Sequence, residues 1–458
     1  MPTNLNSIII PQLENRIERN QKVKSVITSS TVAAGIMVLA ALVAVVIANT
    51  NAYFAIQEFL QSYIGIYVGD AQIGMSVEHF INDLLMAIFF LMVGIELKYE
   101  MTVGELTNPK AAMLPLLAAV GGVVVPALIY ILFNVLGSGN LNGWAIPMAT
   151  DIAFALGALS LLGNKVPKGV KVFFTTLAIA DDIIAILVIA IFYGSNLQIM
   201  WLAAALLVTL MLAALNRGHI YRLWPYLSLG VVLWVFVYLS GIHATIAGVI
   251  LAFTIPAKPM IMLSELPQFA SEKLNEAKNS LDVEAHPLSQ SEFSHMIREI
   301  ESASHYAQPP LIRLEHYLLN FSNLVVLPIF AFFNAQVRLV GADMSMVLTS
   351  SVTLGVFFGL LLGKTLGIFS VSFALVKAKV ARLPQNVNLS HIFGISILGG
   401  IGFTMSILIA SLAFEDPQAT LAAKTAILLA TLIAAITGLI YMNIVTKKST
   451  QEALPQTE

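Results

Sequence analysis

Twelve stretches of this chain are apolar over roughly the length that crosses a bilayer, and that one feature excludes most folds. They run 28–49, 77–97, 111–134, 145–163, 169–193, 197–215, 223–240, 242–256, 319–335, 349–375, 389–413 and 420–444. The eighth is short, and the fourth and eleventh are rich in glycine and polar residues. Only 11% of the 458 residues are charged, against roughly 25% in soluble domains. A soluble chain of this length has to cover its surface with polar groups, so the apolar excess here faces lipid. The expected fold is an all-α polytopic membrane protein with about 12 transmembrane helices.

The loops test this count independently. Basic residues collect on the cytoplasmic side of a membrane protein. With the N-terminus inside, all 24 Lys and Arg residues fall on the inner side except Arg338, Lys424 and Lys364. A wrong span count would scramble that alternation. The expected layout is a cytoplasmic segment 1–27, spans one to eight over 28–256, a cytoplasmic loop insertion 257–313, spans nine to twelve over 314–444, and a cytoplasmic tail 445–458. The first 25 or so residues are mostly polar and do not read as a cleavable signal peptide. A net charge of −2 gives no reason to expect nucleic acid, and the absence of cysteine excludes disulfides and thiolate metal sites.

Two polar segments interrupt the apolar pattern. The inner loop 257–313 has scattered charges, and its middle, near Phe293 to Ile300, reads as a short amphipathic helix within a mobile insertion. The outer loop 50–76 places two strand-like runs, 64–68 and 71–75, around Gly69-Asp70. That pattern predicts a small periplasmic β-hairpin. The edge of a hairpin over 64–75 either pairs with a second copy of the chain as a homodimer contact or is a simple lid on the outer surface. The remaining surface meets membrane lipid.

Asp83, Glu96, Asp151, Asp181, Asp182 and Lys364 lie in or beside apolar spans. A charge at the bilayer centre costs at least a few kcal/mol and persists only beside a cavity or a partner. Asp181 and Asp182 stand together near mid-span. Two adjacent carboxylates in a low-dielectric site cannot both be ionised cheaply, and two neutral acids are poor packing material. A pair that alternates between protons and a small hard cation such as Na⁺ or Li⁺ fits better. Adjacent helical residues point about 100° apart, so one can hold the ion while the other meets another partner. Lys364, flanked by glycines that permit close helix approach, is a plausible partner. It either sheds its proton or stays charged beside an aspartate, and the sequence leaves both open.

A weak internal repeat sharpens this. Asp151-Ile-Ala-Phe-Ala-Leu-Gly-Ala-Leu159 matches Gly400-Ile-Gly-Phe-Thr-Met-Ser-Ile-Leu408 at Ile, Phe and Leu. These segments belong to spans four and eleven, which run in opposite directions. Paired interrupted helices in two inverted halves point to a transport site near mid-membrane. Helix ends inside the membrane expose partial charges, and Asp151 and Lys364 have the signs to offset them.

The chain resembles the NhaA-type Na⁺/H⁺ antiporters, a family in which inverted repeats are already known. The resemblance rests on Phe90-Leu-Met-Val-Gly-Ile-Glu96-Leu-Lys98, Ala149-Thr150-Asp151-Ile-Ala-Phe-Ala-Leu-Gly157, Leu177-Ala-Ile-Ala-Asp181-Asp182, Gly241-Ile-His243-Ala-Thr245, Leu314-Glu315-His316, Gly363-Lys364 and Gly399 to Ser406. These occur in family order and cover nearly the whole chain. The resemblance implies that Asp181 and Asp182 bind the transported Na⁺ or Li⁺ and protons, and that Lys364 pairs with Asp181. It implies that Thr150 and Asp151 are broken-helix site residues, and that Glu96, His243, Glu315 and His316 belong to a cytoplasmic pH-sensing region or its neighbourhood. It further implies a multi-pass protein of the bacterial inner membrane with both termini cytoplasmic. That protein is an antiporter rather than an enzyme, is pH-regulated and electrogenic, exports sodium and needs no cofactor. Two departures fall in the sensing region: Tyr99 where the family usually has a basic residue, and Leu319 where it often has a second histidine.

Three rivals are weaker. A proton-coupled carrier of organic anions would want basic or hydroxylic groups near the broken helices beyond Lys364. An intramembrane aspartyl protease needs two converging carboxylates, usually with a Gly-x-Gly-Asp run, which is absent. A passive channel has no reason to keep a lysine beside a cation path.

Overall fold

The computed structural model describes residues 14–16, 18–19, 29–68, 71–194, 197–282, 286, 289–341 and 343–452. In chain order its helices are α1 (Ser30–Ala48), α2 (Ala52–Gln61), α3 (Val77–Thr102), α4 (Pro109–Leu136), α5 (Ile152–Ser160), α6 (Lys168–Phe192), α7 (Ile199–Arg217), α8 (Leu223–Leu239) and α9 (Ile246–Thr254). They continue as α10 (Leu266–Ser280), α11 (Ser291–Ala307), α12 (Pro310–Asn334), α13 (Met344–Thr349), α14 (Ser351–Lys377), α15 (Leu389–Leu398), α16 (Phe403–Ala413) and α17 (Pro417–Glu452). A two-stranded antiparallel sheet, β1 (Tyr63–Val68) and β2 (Ala71–Ser76), precedes α3. Its register runs from Tyr63 opposite Ser76 to Val68 opposite Ala71. Gly69 and Asp70, the expected turn, lie outside the described residues.

Among the described residues, nine helical stretches are long and apolar enough to cross a membrane, and the bent pair α15 and α16 makes a tenth. The chain is a multi-pass membrane protein. The seventh and eighth expected spans are helical but shorter, at 17 residues in α8 and 9 in α9. The ninth begins at Pro310 rather than 319, because its first turns carry Arg313, Glu315 and His316, which hide a helix from a hydropathy reading. Among its described residues the loop 257–313 holds two helices, α10 and α11, where the sequence points to one. α10 and α11 pack together, and Lys273 of α10 reaches Glu299 of α11 at 3.1 Å and Glu276 at 2.8 Å. Those two carboxylates hold the Lys273 ammonium above its usual range.

Contacts divide the chain into two units. The first comprises residues 1–86, 103–194 and 320–458. Its core gathers Leu114 of α4, Phe173, Phe174 and Leu177 of α6, Ile368 of α14, and Ile392 and Ile395 of α15, all buried. Glycine sets the approach of α4 to α14. A Cβ on Gly121 would stand 2.5 Å from the Gly367 carbonyl oxygen, and one on Gly363 only 2.6 Å from Pro126 Cα. No side chain fits either place, so the two backbones touch. A π-helical turn, Gly359–Gly363, immediately precedes Lys364. Such a turn inserts an extra residue and re-aims the side chains beyond it.

The second unit comprises residues 87–102 and 195–319. Ile95, Leu212, Tyr226, Leu233, Leu251 and Ile255 form its buried core. Here Gly94 lets α3 lie against Ala252 of α9. Lys98 then closes the end of α9, donating to the Phe253 carbonyl at 2.7 Å and to the Ile255 carbonyl. A cation on the last carbonyls suits the negative end of a helix.

Candidate functional site

Within the first unit two interrupted helices meet. A 3₁₀ segment, Leu141–Met148, ends in extended backbone at Ala149 and Asp151 before α5 begins. Likewise α15 stops at Leu398, the chain turns through 399–402, and α16 leaves at 47° to it. Backbone released from a helix inside a membrane must find partners in protein. These two breaks find each other. Asp151 N–H donates to the Ile401 carbonyl at 2.7 Å, and the Thr150 hydroxyl donates to the Gly399 carbonyl at 3.0 Å. The repeat-matched rings of Phe154 and Phe403 pack edge to face, their centroids 5.7 Å apart.

Asp151 does the most at this junction. One carboxylate oxygen accepts the Phe154 N–H of α5 at 2.9 Å. The other accepts the Thr404 N–H of α16 at 3.1 Å and the Thr404 hydroxyl at 2.5 Å. One buried carboxylate therefore caps two helix N-termini. Each terminus carries unsatisfied N–H groups and a partial positive charge, and the single anion answers both.

Asp181 and Asp182 sit on α6, at 1% and 0% exposure, and Lys364 is 0% exposed. The Lys364 Nζ stands 2.5 Å from Asp181 Oδ2. Asp182 lies within the field of the same ammonium, and Thr150 lies beside the Asp181 carboxylate. Five candidate residues, Thr150, Asp151, Asp181, Asp182 and Lys364, thus belong to one buried region. A buried ion pair gains little net stability, because desolvation offsets the Coulomb attraction. Among the described residues no three His, Cys, Asp or Glu side chains gather as metal ligands. A cation here has to draw on the two carboxylates and on neutral oxygens.

Sequence reasoning passed over Thr404 and Ser406. The Ser406 hydroxyl donates to the Ile146 carbonyl at 2.9 Å and ties α16 to the opposite break. The available signal was their polarity inside an otherwise apolar repeat, where the partner positions are Ala155 and Gly157. A cavity of about 790 Å³ lined by Asn140, Asp343, Ser351 and Asp416 holds none of the candidate residues. Its two carboxylates are helix caps, Asp343 for α13 and Asp416 for α17.

The second unit holds the four remaining candidates. Glu96 of α3 and Glu315 of α12 lie within electrostatic range of each other, with Glu100 nearby. His316 is exposed beside Glu315, its ring edge-on to Tyr317. His243 stands in the turn before α9, at the opposite end of that helix from the carbonyls that Lys98 caps. The structure gathers Glu96 and Glu315 but not His243. The departures Tyr99 and Leu319 are both exposed, at 40% and 37%. Beside this group Arg313 is buried. It donates to the Tyr221 carbonyl at 2.7 Å and to the His305 ring of α11.

The chain is similar to known proteins over nearly its whole length. A family profile described as "Na+/H+ antiporter 1" matches residues 24–442. A Helicobacter pylori (strain G27) protein named Na(+)/H(+) antiporter NhaA is 44% identical over 434 residues, covering 93% of this chain and 96% of the relative. Proteins of the same name from Wolinella succinogenes and Oleidesulfovibrio alaskensis are also 44% identical. The first covers 88% of this chain and 89% of its own length, the second 90% and 91%.

Proposed function

The chain belongs to the Na⁺/H⁺ antiporter 1 family, and from that premise we propose that it exports Na⁺ or Li⁺ across a bacterial inner membrane in exchange for incoming protons. The observation that carries this reading is the buried trio at the crossing: Asp182 beside an Asp181 already held by Lys364. Protons entering from outside load the two carboxylates. The site then turns to the cytoplasm, where a hard cation displaces the protons and is carried out. Exchange follows because both ligands compete for the same oxygens. When more than one proton moves per sodium the cycle is electrogenic.

The finer architecture belongs to the same proposal. Twelve crossings arise if α8 and α9 each count as a span, leaving both termini cytoplasmic, as the distribution of basic residues favours. The two broken helices are then equivalent parts of inverted halves. Glu96, Glu315, His316 and His243 form or neighbour a cytoplasmic pH-sensing region, and β1–β2 pairs with a second copy. An organic-anion carrier fares worse, since Lys364, the cation described at the crossing, is already engaged by Asp181.

Everted membrane vesicles from cells lacking their own antiporters test the proposal. With the interior acidified by respiration, NaCl or LiCl should collapse the pH gradient rapidly. Asp182→Asn should abolish the response with the protein still present in the membrane. Retained exchange in that variant would defeat the site assignment.

A further inference from the structure

The start of α16 poses a problem that its own sequence does not solve. Four N–H groups at a helix N-terminus lack intrahelical partners, and an apolar membrane interior supplies no water. The cognate helix α5 carries its own carboxylate cap, Asp151. At its own N-cap α16 has Gly402, which offers no side chain. None would fit: a Cβ there would meet Leu360 Cδ2 at 2.9 Å and crowd the Ser406 hydroxyl. The cap has to come from elsewhere. Asp151 takes the Thr404 N–H. The preceding donor, Phe403 N–H, is taken by the hydroxyl of Thr431 at 3.2 Å, from the otherwise uninterrupted helix α17. Thr431 is 4% exposed.

We propose that Thr431 is a positioning residue for ion exchange: it caps α16 in trans and so fixes where that helix begins relative to Asp151. This rests on the antiport reading above. The two caps work on consecutive donors, Phe403 and Thr404. Without the Thr431 oxygen, the Phe403 N–H stands next to a carboxylate that already accepts three donors, the Phe154 N–H, the Thr404 N–H and the Thr404 hydroxyl, and Asp151 is drawn to serve a fourth. The shift changes how much of its charge opposes the helix ends at the crossing. It therefore alters binding at Asp181 and Asp182 rather than the amount of folded protein. Thr425, on the same helix and 6% exposed, provides a control. Its hydroxyl donates to the Leu421 carbonyl of its own helix at 2.8 Å.

Thr431→Val, Thr431→Ser and Thr425→Val should be compared in everted vesicles and by amide hydrogen exchange in detergent. Thr431→Val should raise the apparent KM for Na⁺ by up to about tenfold, the scale of one unsatisfied buried donor. It should also displace the pH profile while keeping most of the maximal rate, and it should deprotect the Phe403 and Thr404 amides. Thr431→Ser should restore all of these, and Thr425→Val should change none. An unchanged KM and pH profile in Thr431→Val, or an equal shift in Thr425→Val, overturns the proposal, as does unaltered amide protection. If the unsubstituted protein shows no Na⁺-dependent exchange, the antiport reading fails. The role in exchange fails with it, while the amide data still decide whether Thr431 is the cap.

Discussion

Lys364 illustrates what a single side chain does in this chain. It carries a cation through four methylenes into a region with no exposure and meets Asp181 there. Breaking such a pair from one side leaves an uncompensated buried charge, which destabilises by about 3–5 kcal/mol. Lys364→Met is therefore expected to lower the unfolding temperature in detergent markedly. A second change, Asp181→Leu, should recover much of that loss, because apolar replacements of a buried pair are often neutral. Exchange should stay absent in the double variant. A single variant as stable as the parent would show that the pair is not held as described. At this scale the sequence was informative for charges and poor for hydroxyls. Asp151, Asp181, Asp182 and Lys364 stand out because ionisable groups are rare in apolar spans. Thr404 and Thr431 do not, since threonine is unremarkable there, and only the chain's three-dimensional path brings them to the start of α16.

Among the elements, the helical hairpin of α10 and α11 was the least legible. Its α11 could be seen as amphipathic, but α10 has few apolar residues, and the ion pair that crosses to α11, Lys273 to Glu299, leaves no periodic mark in the sequence. The π-helical turns at 322–326 and 359–363 were invisible, because an extra residue in a helix leaves no mark on hydropathy. The hairpin meets α12 through His305 and Arg313. Arginine can only donate, so the ring accepts at Nε2 and is neutral. Partial burial and the neighbouring guanidinium hold His305 below its ordinary value of 6.5. With the folded value depressed, the unfolded chain binds more protons below 6.5. The contact thus contributes fully above that pH and is lost as pH falls further. Limited proteolysis of residues 291–307 should accelerate on acidification below about 6.5, and His305→Ala should remove that pH dependence. Equal proteolysis of the parent across the range would contradict it.

For the molecule as a whole, the apolar runs foretold a polytopic bundle, yet hydropathy could not say how the broken spans would be held. The answer lies in hydrogen bonds across the junction, from the Asp151 N–H to the Ile401 carbonyl and from the Thr150 hydroxyl to the Gly399 carbonyl, which no single span encodes. The hairpin β1–β2 raises a separate question of assembly. Deleting residues 64–75 should convert a dimer to monomers in detergent sedimentation while leaving exchange measurable, and an unchanged mass would exclude that contact. The central claim is that Na⁺ and protons compete for the Asp181–Asp182 carboxylates. The most direct test adds NaCl to the purified protein in weakly buffered detergent and records proton release. The account predicts release with Na⁺ or Li⁺, none with choline, and none in Asp182→Asn. Folded, unsubstituted protein that releases no protons with Na⁺ at any pH across its active range would contradict it.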